Sequence, residues 1–156
     1  MVSEAANAGI DRVLWTEAEI ATRVAEVASE LAADIRRLAE PAVVVGVATG
    51  AFLFLADLVR RVDVPLAVDL VRVESYGDGT ESSGRPRVTA DLKVDVAGKH
   101  VVVVDFQLVG GGKFYRGFEC PDSFVVGYGM DYAELYRNLP YVGVLKPEMY
   151  SKKTDN

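Results

Sequence analysis

The chain has 156 residues, half of them apolar and 26% charged, with a net charge of −6. That suits one domain, 1–156, with a sizeable core, and the acidic balance argues against general binding to nucleic acid or a membrane surface. The lone Cys120 and lone His100 exclude an internal disulfide and a Cys/His zinc site, which fits a reducing, cytoplasmic compartment.

Residues 1–12 read as a loose leader, with no apolar core of a secretory signal. Thr16 followed by Glu19 is a capping box, and Ile20, Val24, Val27, Leu31, Ile35 and Leu38 recur at helical spacing. The pattern predicts a helix from Thr16 to Ala39, closed by Pro41. "AVVVGVA", 42–48, is short, β-branched and wholly apolar, as expected of a strand covered on both faces in a parallel sheet. "TGA" turns into a helix over 52–62, and Pro65 precedes a second strand over 66–76. The stretch 42–59 comes nearest to a membrane span, but glycines, Thr49 and Asp57 interrupt it. "GDGTESSGRPR", 77–87, is a polar loop long enough to be a lid or a merely solvated loop. A short strand over 88–96, a turn, and the buried strand "VVVVD", 101–105, follow.

A tight turn and a crossover helix should come next. Instead "FQLVGGGKFYRGF" sets aromatic and β-type residues around glycines, which reads as a hairpin. Gly110–Gly112 with Lys113 lacks the spacing of a phosphate loop, and Phe114 and Tyr115 stand where its hydroxyl residue and helix would open. The chain then predicts a strand over 124–128, a single helical turn, and a last strand over 141–145. The whole implies an α/β protein: a mainly parallel central sheet flanked by helices, with a small antiparallel hood.

Two places could bind a ligand. The small-residue turn in "VATGAF" stands at the carboxyl end of a buried strand and before a helix N-terminus, where anions bind, although an ordinary strand-to-helix turn has the same composition. Phe124 could stack on a flat heterocycle, Asp131 could hold a cation or accept a hydrogen bond, and Arg137 could bind a phosphate; core and surface roles suit the same residue types.

In this order the segments resemble the hypoxanthine-guanine phosphoribosyltransferases, over about residues 12–150. "DSFVVGYGMDYAELYRNLPYVGVLKPE" is similar to that family's purine-binding segment, "VVVGVATGAFLFLADLVRRV" to its pyrophosphate loop, and "VRVESYGDGTESSG" to its mobile catalytic loop. The resemblance implies a purine salvage enzyme that joins hypoxanthine or guanine to phosphoribosyl pyrophosphate with Mg2+, working as a dimer or tetramer. It implies that Phe124 stacks on the purine, the Val125 backbone reads its edge, and Asp131 contacts the purine side and helps hold magnesium. It further implies that Thr49, Gly50 and Arg137 bind pyrophosphate and that Ser75 and Tyr76 cap the closed site. The family's phosphate-cradling loop, with its helix, the next strand and a Lys-Pro segment, has no counterpart after "VVVVD", a gap of roughly 30–40 residues. Asp105 is either the remnant of the family's acid pair or part of a later strand. The gap implies an incomplete fold, with a central helix and strand missing, and crippled transfer, or else an inactive chain that binds purine or modulates full-length subunits. A regulatory module of the same fold is a third reading, disfavoured by the Ser-Tyr lid.

Overall fold

A computed structural model describes residues 7–75, 86–88, 92–106 and 113–151. Strand β1 (Ile10–Trp15) leads into helix α1 (Glu17–Ile35). Thr16 caps that helix: its hydroxyl accepts from the Glu19 amide at 3.3 Å, and the Glu19 carboxylate accepts from the Thr16 amide at 2.8 Å. One face of α1, Ile20, Val24, Val27, Leu31 and Ile35, is buried, as its spacing predicts. The helix stops at Ile35, four residues before the expected Ala39, and Leu38 closes a turn onto the Ile35 carbonyl.

Strand β2 (Val43–Ala48), helix α2 (Phe52–Val59) and strand β3 (Ala67–Ser75) form a parallel unit, β2 lying beside β3 over its whole length. Strand β5 (Val101–Val104) runs parallel on the other side of β2, and β4 (Pro86–Val88) adds antiparallel to β3. The sheet order is β4-β3-β2-β5. Val44, Val102 and Val104 pack against α1 and α2. Gly46 lets α2 approach, since a Cβ there would stand 2.6 Å from Leu55 Cδ2.

A second sheet forms the hood: β1, β7 (Val142–Leu145) and β6 (Val125–Val126), all antiparallel, followed by a one-turn helix α3 (Pro147–Tyr150). The α/β fold with a parallel sheet and a small antiparallel hood is therefore as expected. The gap after β5 is also present. The interval 107–112 is too short for a crossover, which takes a dozen or more residues. Past it, 113–120 is an irregular strap along α1. Arg23 Nε donates to the Gly117 carbonyl at 3.0 Å, Lys113 and Tyr115 bond to Asp34, and Trp15 stacks on Phe118 at 4.5 Å.

Several local expectations are corrected. Residues 10–12 are not leader but the start of β1, because Ile10 and Arg12 pair with Leu145 and Val144. The strand that pairs with β3 is 86–88, and of the expected strand over 88–96 residues 89–91 lie outside the described residues while 92–96 are no strand: the Asp69 carboxylate draws them alongside, accepting from the amides of Lys93 and Val94 at 2.6 and 3.0 Å. The helical turn expected between the last strands is a chain of non-helical turns with positive φ at Ala133, Glu134 and Tyr136. Tyr76, the lid over 77–85 and Gly110–Gly112 lie outside the described residues.

Candidate functional site

The carboxyl ends of β2 and β5 meet the segment after β6, and three short pieces of chain make the site. The first is the β2-α2 turn. Its Ala48–Thr49 peptide is cis, and the Ala51 amide donates back to Val47 at 3.2 Å while that of Phe52 donates to Thr49 at 3.3 Å. The turn opens the N-terminus of α2, where amides without a helical partner favour an anion.

The second piece is Asp105-Phe106, directly past Val104, which pairs with Gly46. The Asp105 carboxylate accepts from the Phe106 amide at 2.7 Å. Partial burial pushes the Asp105 carboxyl above its ordinary value, against that hydrogen bond.

The third piece is 127–137. Gly129 sits at φ +102°, and a Cβ on it would stand 2.1 Å from the Gly50 carbonyl oxygen. Only glycine permits both that backbone and that approach. The Phe106 ring lies 3.4 Å from the Cβ position of Gly50 and 3.5 Å from that of Gly129, so it caps both glycines. Arg137 then ties the piece together. Its Nη1 donates to the Gly129 carbonyl at 2.9 Å, and its Nη2 contacts Asp131 Oδ1 at 2.8 Å and Glu134 Oε2 at 3.2 Å. Asp131 Oδ2 accepts from the Glu134 amide at 2.9 Å.

Thr49, Gly50, Asp105, Asp131 and Arg137 are thus brought to one end of the sheet. Phe124 sits just before β6, 41% exposed, its ring stacked on Tyr150 at 4.9 Å and edge-on to Tyr132 at 5.5 Å. Through Tyr132 it adjoins Asp131. Val125 follows it in β6, opposite Val144. Ser75 ends β3, opposite Pro86. Lys113, behind the glycine triplet, bonds to Asp34 on α1, far from the sheet end. Sequence reasoning missed two residues: Phe106, which follows β5 directly, and Tyr150, which is an unremarkable tail residue until α3 folds it onto Phe124.

Tyr128, between the two glycines, turns the other way. It donates to Asp57 Oδ2 at 2.9 Å, and burial together with that carboxylate pushes its phenol well above the ordinary range. The bond fastens the loop to α2, the helix that the β2 turn opens.

The phosphoribosyl transferase domain family matches residues 15–112. The hypoxanthine-guanine phosphoribosyltransferase of Bacillus subtilis is 37% identical over 175 residues, which cover 90% of this chain and 96% of that protein. The bifunctional protein TilS/HprT of Listeria innocua is 35% identical over 185 residues, 96% of this chain, and the chain spans 28% of that protein's length. A hypoxanthine phosphoribosyltransferase crystal structure from Staphylococcus aureus superposes with a TM-score of 0.84 at 32% identity, covering 97% of this chain and all of that one. A point mutant of the Trypanosoma cruzi hypoxanthine phosphoribosyltransferase, in a ternary substrates complex, gives 0.79 at 31% identity, over 92% of this chain and all of that one. The Bacillus alignment is longer than the part of the chain it covers, leaving about 35 residues of the relative unmatched, the size of a crossover helix with its strand.

Proposed function

The chain belongs to the hypoxanthine-guanine phosphoribosyltransferase family, and we propose that it is a shortened purine phosphoribosyltransferase whose transfer step is crippled. The observation that carries this is one sheet end that gathers the Thr49-Gly50 turn, Asp131 and Arg137, with no crossover helix after β5 in the described chain.

The reaction joins a purine ring nitrogen to C1 of the ribose, breaks the bond from C1 to the pyrophosphate oxygen, and releases the nitrogen's proton to the departing pyrophosphate or to solvent. Positive charge develops on the ribose ring and negative charge on the leaving group, so the site must exclude water and hold pyrophosphate. The amides around Thr49 and Gly50 would take that leaving group at the N-terminus of α2. Arg137 would join them by exchanging its hold on Asp131 for phosphate oxygens. The exposed side of Phe124 would stack on hypoxanthine or guanine, backed by Tyr150, with the Val125 backbone at the base's edge. Ser75 and Tyr76 would close over the reacting atoms. Asp105 would face the ribose hydroxyls, its raised affinity for protons suiting it to a hydrogen-bonding role.

Magnesium fits a limited role. Among the described residues no group of three or more acidic, His or Cys side chains could hold a metal ion. Asp131 would therefore offer one carboxylate and the substrate phosphates the remaining oxygens, an arrangement magnesium favours. Bound there, it would neutralise charge on the departing pyrophosphate.

What the chain lacks is the length to build a cradle for the ribose 5-phosphate. Losing that anchor removes positioning worth several kcal/mol, roughly a thousandfold or more in rate. A second reading draws on the same gap: an inactive chain that still binds purine, or that associates with full-length subunits and modulates them. We take the chain as one domain, 1–156, acting in the cytoplasm as a dimer or tetramer. None of its described helices is long and apolar enough to cross a membrane, and its one thiol suits a reducing compartment.

The deciding experiment is steady-state transfer from phosphoribosyl pyrophosphate to hypoxanthine and guanine, with magnesium, alongside calorimetry of purine binding. Purine binding with turnover far below the ordinary range of about 1–10³ per second supports the crippled transferase. Binding without any turnover supports the second reading, and ordinary turnover refutes both.

A further inference from the structure

We propose that the outer edge of β5 is a self-association surface, through which two copies join antiparallel, β5 to β5, about a two-fold axis at Val102. The inference rests on the fold alone and does not depend on the proposed reaction.

Among the described residues β5 has a neighbour on one side only. The Val43 amide donates to the His100 carbonyl at 2.9 Å. In a strand the amide and carbonyl of one residue point to the same side, and successive residues alternate. His100, Val102 and Val104 therefore turn their peptide groups toward β2, and Val101 and Val103 turn theirs outward. The edge has no proline, no bulge and no charge over 101–104, so it lacks the devices by which natural sheets block edge pairing.

A two-fold axis perpendicular to the sheet keeps each face on its own side. It therefore pairs residues of like parity, and the outward-facing pairs must be odd with odd. Centring the axis on Val102 sets Val101 against Val103 of the second copy, and Val103 against Val101. Each pair exchanges two backbone hydrogen bonds, about four in all. The side chains of Val101 and Val103 are 41% and 44% exposed. They stand on the face away from α1 and α2, and in this register they cover one another across the axis. The same register brings Lys99 beside Asp105 of the second copy, and the reverse, so unlike charges close both ends of the pairing. That complementarity under the symmetry of the edge is what selects a second copy as the occupant.

The contact is short, below the roughly 1,200 Å² of a firm interface, so the dimer should form over micromolar concentrations. Sedimentation velocity of the full chain from about 1 to 100 µM tests it. The expected result is a concentration-dependent dimer. Val103→Pro should return it to monomer with an unchanged far-ultraviolet spectrum, because that amide does not bond to β2. Lys99→Glu, an exposed change that spares the fold, should weaken the dimer by about tenfold, and Lys99→Glu with Asp105→Lys should restore it. A monomer at all concentrations overturns the proposal, as does a dimer indifferent to Lys99→Glu. A monomer that pairs only with a full-length relative overturns it in favour of a different partner.

Discussion

Gly129→Ala should loosen the junction on which the candidate site is built. Gly129 holds φ at +102°, outside the region an alanine adopts cheaply, at a cost of about 1–2 kcal/mol. The new methyl would also stand 2.1 Å from the Gly50 carbonyl oxygen and 3.5 Å from the Phe106 ring. Relief requires backbone movement, because the opposing atom is a carbonyl in the turn between β2 and α2. Turn strain and overlap together should cost about 3–4 kcal/mol. For a chain of this size that lowers Tm by roughly 6–15 °C. Gly98→Ala is the control. Gly98 also has positive φ, +72°, but a Cβ there meets nothing within 4 Å, so it should cost only about 1 kcal/mol. Urea unfolding of both variants isolates the contact as their difference, about 2–3 kcal/mol. Equal costs, within about 0.5 kcal/mol, would refute the close packing of the Thr49-Gly50 turn on the 127–131 loop.

Three further outcomes follow from particular groups. Burial raises the Asp105 carboxyl above its unfolded value of 3.8, so the folded chain holds that proton more tightly and loses stability as pH rises through the folded value. Asp105→Asn should therefore stabilise the chain at about pH 7 but not at about pH 3, read by thermal unfolding at both. Phe124→Ala should weaken guanine binding by about tenfold in calorimetry, stacking being worth about 1 kcal/mol beyond buried area; unchanged affinity would move the base elsewhere. Thr16→Ala removes the hydroxyl that accepts from the Glu19 amide, leaves the residue-16 amide free to donate to the Glu19 carboxylate, and should cost about 1 kcal/mol in urea unfolding.

Where a signal is local, the sequence was sufficient. The capping box at Thr16, the apolar stripe of α1 and the all-valine strands rest on spacing within a few residues, and burial follows from that spacing. The break after β5 was equally legible, because a crossover needs more chain than the sequence supplies. Spacing also argues against a phosphate loop at Gly110–Gly112, residues that lie outside those described.

Contacts between distant segments had no such signal. Nothing in the spelling of "GYGMDY" says that Gly129 must admit the Gly50 carbonyl, or that Phe106 will cap both. Arg137 reads as a phosphate ligand, yet in the fold it holds Gly129 and Asp131, because tight left-handed turns bring its guanidinium back over its own loop. The same turns replaced the expected helical turn, Ala133, Glu134 and Tyr136 taking positive φ where helical periodicity looked possible. The elements, their order and the missing crossover could be read in advance because short-range periodicity and chain length set them. Which carbonyl faces which glycine, and which edge of β5 has no neighbour among the described residues, depend on how segments far apart in the chain pack, and those emerge only once the fold is assembled.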